Sequence, residues 1–105
     1  MTAYLFVLAR AASPDGWDRY RTEVADCVAA HGGRYLVKRS SAEALEGDFQ
    51  YQRLTCFAFD DMQALHAFWH SDEYQKRIKP LREGLGEFDV WAAPGIDESE
   101  REDRI

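Results

Sequence analysis

Arg34-Tyr35-Leu36-Val37-Lys38-Arg39 and Leu54-Thr55-Cys56-Phe57-Ala58-Phe59 decide the fold. Both runs read as β-strands, joined by a polar connector that carries Glu46-Gly47-Asp48. A strand with one wet face alternates apolar and polar residues, whereas a strand covered on both faces does not. Leu54, Cys56 and Ala58 point one way and Thr55, Phe57 and Phe59 the other, and both sets need cover. The second run is therefore expected at the centre of a sheet.

Working outward, Tyr4–Ala9 is another continuous apolar run of aromatic and branched residues, which favours a strand. Ser13-Pro14-Asp15 has the composition of a helix opening, with a capping hydroxyl, a proline at the first turn and an acid at the positive end of the dipole. Trp17, Tyr20, Val24, Cys27 and Val28 then form one apolar stripe, and His31-Gly32-Gly33 ends the helix. After the paired strands, Asp60 with Gln63 three residues on predicts a capping box for a second helix carrying Met62, Leu65, Phe68 and Trp69. Ser71-Asp72-Glu73 supplies a fresh cap, so a bend is expected there, and Pro80 limits regular continuation. Phe88-Asp89-Val90-Trp91-Ala92 alternates and suits an edge strand.

The order strand, helix, strand, strand, helix, strand is the ferredoxin-like β-α-β-β-α-β arrangement, an α+β fold with one four-stranded antiparallel sheet. Its first and third strands are central, which are the two runs apolar on both faces. Helices cover only one side of such a sheet. Phe57, Phe59 and neighbours in Tyr4–Ala9 left facing water would form a larger apolar patch than soluble monomers carry. A homodimer packed sheet against sheet covers it, and a standard interface of about 1,600 Å² suffices for a stable pair.

The 105 residues, 46% of them hydrophobic, make one domain, expected over residues 1–95, with the charged stretch 96–105 as a tail. A net charge of -6 and a pI near 5.0 oppose binding to phosphate backbones, so nucleic acid is not expected as a partner. Cys27 and Cys56 lack metal or redox spacing and read as small core residues of a reducing compartment. Neither a signal peptide nor a membrane-spanning run is present, which makes a cytoplasmic protein the expectation.

Ala30-His31-Gly32-Gly33-Arg34-Tyr35-Leu36-Val37, then Leu45-Glu46-Gly47-Asp48-Phe49, then Ser71-Asp72-Glu73-Tyr74 with Leu81-Arg82 downstream, form an ordered motif series. In these motifs, over roughly Ala3 to Ala93, the chain resembles the family called domain of unknown function 1330, within the dimeric α/β-barrel superfamily. The resemblance implies a ferredoxin-like protomer and a homodimer, and no settled reaction. Lys38-Arg39-Ser40-Ser41 departs from the arginine followed by glycines that the family often has there, and Asp72 stands where the family has proline.

Several residues have side chains suited to chemistry. His31 is a candidate base, since histidine titrates near neutrality; the competing reading is a histidine that meets free carbonyls in a last helical turn. Glu46 with Arg34 can orient a ligand or simply hold the connector as an ion pair. Trp69, Ser71, Tyr74 and Arg82 together offer an aromatic wall, a phenol and a fixed positive charge suited to a small organic acid, although core packing and capping use the same residues. His66 and His70 have metal-compatible spacing but no third ligand nearby in sequence, so neither a metal nor another cofactor is expected. The leading expectation is a homodimer that binds a small organic molecule, acidic or aromatic, in a cavity. The alternatives are a cofactor-independent monooxygenase- or isomerase-like enzyme, permitted by the superfamily resemblance, and a structural or interaction protein with no small-molecule site.

Overall fold

The computed structural model describes residues 1–96; the expected charged tail from Asp97 onward lies outside them. The elements are β1 (Ala3–Ala11), α1 (Trp17–Ala30), β2 (Arg34–Ser41), β3 (Arg53–Phe59), α2 (Met62–Trp69), a π-helical segment (Glu73–Ile78), a 3-10 turn (Lys79–Arg82) and β4 (Gly86–Pro94). The strands form one antiparallel sheet in the order β2-β3-β1-β4, so the two strands apolar on both faces are indeed central and β4 is an edge.

Which face of β3 the helices cover differs from expectation. Phe57 and Phe59 are 3% and 0% exposed, packed in the core with Ala3, Leu5, Val28, Leu65, Phe68 and Ile78. The aromatic side of the strand thus lies under the helices, where large rings fill the depth between layers. Cys56 and Ala58 occupy the opposite, helix-free side with Tyr4 and Phe6, to which they are register partners. They are buried within one chain all the same, being small residues in the centre of a sheet. On that side Trp91 is 64% and Leu36 is 52% exposed, so the uncovered apolar face consists of these residues with Tyr4, Phe6 and Leu8.

Two caps lie elsewhere than the residues suggest. The helix α1 begins at Trp17 after Gly16 in the left-handed region (φ 88°), with no side-chain cap; Ser13 instead accepts the Asp15 backbone N–H at 3.2 Å, closing a turn ahead of the helix. The Trp17 indole N–H donates to the Ser13 carbonyl at 2.7 Å, which fixes that turn against the helix. For α2 the capping carboxylate is Asp61, extended at φ -159°, which accepts the Ala64 N–H at 2.7 Å. Asp60 belongs to the turn that leaves β3.

The bend at Ser71 is present. Its hydroxyl donates to the Phe68 carbonyl at 2.7 Å and accepts the Tyr74 backbone N–H at 3.1 Å, so one side chain closes α2 and opens the next segment. Around Pro80 the winding tightens to a 3-10 turn, because proline has no N–H to give to a regular helix. At the other end of α1, Gly32 takes φ 78° as the helix stops, and Gly33 sits where a Cβ would lie 2.6 Å from Val28 and 2.7 Å from Phe59. That absence of a side chain lets the chain turn from α1 directly into β2 against the Phe59 ring of β3.

Candidate functional site

A cavity of about 60 Å³ lies between the helix-covered face of the sheet and α1. Its floor is Leu5, Val7, Tyr35, Phe57 and Phe88, and its roof includes Trp17, Tyr20, Arg21 and Val24. Those four follow one another at helical spacing, so a single stripe of α1 faces it. Phe68, Trp69 and Tyr74 close the side formed by α2 and the π-helical segment. Ring contacts hold this wall in place: Tyr74 stands 4.8 Å from Phe68 and 5.1 Å from Trp69, centre to centre, and Trp17 stands 5.5 Å from Phe88.

Beyond Trp17 and Thr55 the cavity meets a wider pocket of about 220 Å³, which shares Ala9, Trp17, Arg21, Arg39 and Thr55 with it and adds Ser13, Gln52 and Arg53. Arg39 reaches this junction through an irregularity. The β2-β3 register shifts between Tyr35 and Val37 and again before Ser40, and Arg39 has φ 49°. Its backbone N–H donates to the Thr55 hydroxyl at 3.0 Å, and its guanidinium lies 3.5 Å from the Tyr35 hydroxyl. Bulges of this kind re-aim a side chain. Left-handed backbone at a non-glycine residue also carries a conformational cost.

On the far side of the cavity Tyr20 and Tyr74 meet beside Arg82. Burial pushes the Tyr20 phenol well above its ordinary range, and Tyr74 adds to this while Arg82 opposes it. Burial likewise raises Tyr74, partly offset by Arg82. The Arg82 guanidinium lies 4.6 Å from the centre of the Phe88 ring, with Nη1 buried and without a hydrogen-bond partner.

The residues singled out in the sequence divide into two groups. Trp69 and Tyr74 line the cavity, and Arg82 stands behind Tyr74, brought there by the π-helical and 3-10 winding between them. Ser71 is the cap just described and does not line the cavity. His31 lies outside it at the end of α1, where its Nδ1 donates to the Cys27 carbonyl at 2.9 Å and its ring meets Phe68 edge-on at 5.9 Å. Arg34 is exposed at the start of β2, on the helix-free face opposite Ala58, and Glu46 is exposed in the connector with no ion pair among the described residues. His66 and His70 stack at 5.5 Å, and no group of three potential metal ligands occurs among the described residues. Trp17, Tyr20, Arg21, Tyr35, Arg39 and Thr55 were not singled out as site residues. For Arg21 a signal existed, since it lies four residues after Trp17 on the apolar stripe.

Among curated proteins nothing matches this sequence significantly. Solved structures do. A protein of unknown function from Rhodopseudomonas palustris superposes with TM-score 0.67 at 14% identity, over 91% of this chain and 83% of that one. A dimeric ferredoxin-like protein of unknown function from Thermobifida fusca gives 0.58 at 13%, over 90% and 91%. Another dimeric ferredoxin-like protein of unknown function, from Jannaschia sp. CCS1, gives 0.58 at 16%, over 89% and 98%. At these identities the likeness is one of fold, and that fold is ferredoxin-like. The match to a family model is of a different order, covering residues 2–96. The chain belongs to the family described as domain of unknown function (DUF1330).

Proposed function

We propose that this protein binds a small organic molecule in the cavity between α1 and the sheet. The observation that carries the reading is the junction at Trp17 and Thr55, where an aromatic and aliphatic cavity opens between Arg21 and Arg39. Ligand sites combine an apolar enclosure with a few placed polar groups in this way. Neither arginine forms an ion pair among the described residues, so their charge is free to meet a ligand.

Acid–base catalysis, as in the oxygenase- or isomerase-like alternative, fits the cavity less well. A general base works best with a pKa near the working pH. The ionisable groups that line the cavity are two arginines and tyrosines, and Tyr20 and Tyr74 are pushed further from neutrality by burial. His31, the candidate base, lies outside the cavity and is engaged at the helix end.

The assembly we propose is a homodimer through the helix-free face of the sheet. Tyr4, Phe6, Leu8, Leu36 and Trp91 supply its apolar surface, and two of the similar structures are described as dimeric.

The binding reading is tested by melting the protein with a panel of short-chain and aromatic carboxylates and their neutral amides. At least one compound is expected to raise the melting temperature in the parent and not in Ala9→Leu, which fills the shared wall of cavity and outer pocket. If no compound shifts the parent, the reading fails.

A further inference from the structure

We infer that the ligand of this cavity is a small carboxylate with a short aliphatic body, held with its charged end among Arg21, Arg39 and Arg53 and its apolar end inward. This rests on the binding reading above and assigns the ligand's charge, size and direction.

The charge comes from composition set against place. The chain has 19 acidic and 13 basic residues, yet neither the cavity nor the outer pocket has an Asp or Glu in its lining, while three arginines line the outer pocket. None of the three forms an ion pair among the described residues. The bonds they do make are weak substitutes. Arg39 has the Tyr35 hydroxyl at 3.5 Å, Arg53 has the Ser41 hydroxyl, and Arg21 lies 5.4 Å from the centre of the Trp17 ring with its Nε buried and without a hydrogen-bond partner. A buried guanidinium nitrogen left open is costly unless something accepts its hydrogen, and a carboxylate matches the guanidinium fork better than other small acceptors.

The direction follows from the linings. The inner cavity is walled mainly by aliphatic and aromatic side chains, Leu5, Val7, Val24, Phe57 and Phe88 with the neutral phenols of Tyr20 and Tyr74, and its charged lining residues, Arg21 and Arg39, are the ones it shares with the outer pocket. Its size limits the body. At about 60 Å³ the inner space is less than half of the roughly 150 Å³ apolar cavity that takes a benzene. A chain of a few carbons fits, and a ring would have to displace the walls.

The experiment is calorimetric titration of the intact chain with 2-methylpropanoate, 2-methylpropanamide and inorganic sulfate, repeated on Arg21→Gln and Arg39→Gln. The acid is expected to bind the parent at least tenfold more tightly than the amide or sulfate, and each variant to lose most of that preference. Arg39→Gln keeps a side chain on left-handed backbone; if it fails to fold by circular dichroism, Arg21→Gln carries the same test. Equal binding of acid and amide overturns the charge assignment and leaves the cavity reading standing. Sulfate binding as tightly as the acid overturns the inward apolar end. Absence of binding by all three, with no shift from the wider panel, overturns both readings together.

Discussion

The Arg21 guanidinium lies over the Trp17 ring, 5.4 Å from its centre, one helical turn along the same stripe of α1. A planar cation resting on an indole face keeps its edge available for hydrogen bonds. That relationship puts a charge at the mouth of an apolar cavity without a carboxylate to neutralise it.

Arg39 holds the opposite side of the mouth from strained backbone at φ 49°. Glycine adopts that conformation without a Cβ conflict, so Arg39→Gly is expected to stabilise the fold by about 1 kcal/mol. The same variant is expected to bind 2-methylpropanoate at least tenfold more weakly. Chemical denaturation and calorimetry on one preparation check both, and a variant that loses stability while keeping affinity contradicts the role given to this bulge.

On the helix-free face, Trp91 and Leu36 are the large exposed apolar groups. Trp91→Asp places a charge opposite Phe6, its register partner. The parent is expected to sediment as a dimer at micromolar concentration and Trp91→Asp as a folded monomer. A parent that sediments as a monomer contradicts the assembly.

Stability is expected to fall at alkaline pH. Tyr20 and Tyr74 are held above the ordinary phenol range by burial, and Cys27 above the ordinary thiol range chiefly by the same cause. Each group keeps its proton in the folded chain and loses it in the unfolded one. Their contribution is therefore complete below about pH 9 and declines above it, first through Cys27 and then, past pH 10, through the tyrosines. Each fully retained proton contributes a slope of about 1.4 kcal/mol per pH unit. Tyr20→Phe is expected to flatten the part above pH 10, as followed by urea midpoints across pH.

Close packing at the end of α1 leaves no room for a methyl group at Gly33, where a Cβ would meet Val28 and Phe59 at 2.6 and 2.7 Å. Gly33→Ala is expected to cost about 1–3 kcal/mol, as overpacked cores do. Thermal unfolding measures this, and a neutral result would mean that the helix end shifts freely.

The contrast between the unbroken apolar runs of β1 and β3 and the alternation of β4 made the sheet order legible, because burial on both faces leaves a continuous apolar run and an edge strand does not. Which face the helices take was not legible from β3 alone. Its two faces are both apolar, and the crossing of Leu65, Phe68 and Val28 over Phe57 and Phe59 is a tertiary fact. The site was half legible. Trp69 and Tyr74 stood out as large aromatics next to a cap, but Arg21 is one charge among several on α1. Arg39 is hidden by a register shift that breaks the period of two on which strand faces are read. His31 stood out by chemistry and is placed by capping.

The most direct measurement of the ligand cavity is a methyl NMR titration of the intact protein with 2-methylpropanoate. Val7 and Val24 line the cavity, while Leu36 and Leu45 are exposed away from it. Saturable shifts are predicted at Val7 and Val24 with Leu36 and Leu45 unmoved. Valine resonances that stay in place at saturating acid, or shifts confined to Leu36, would contradict it.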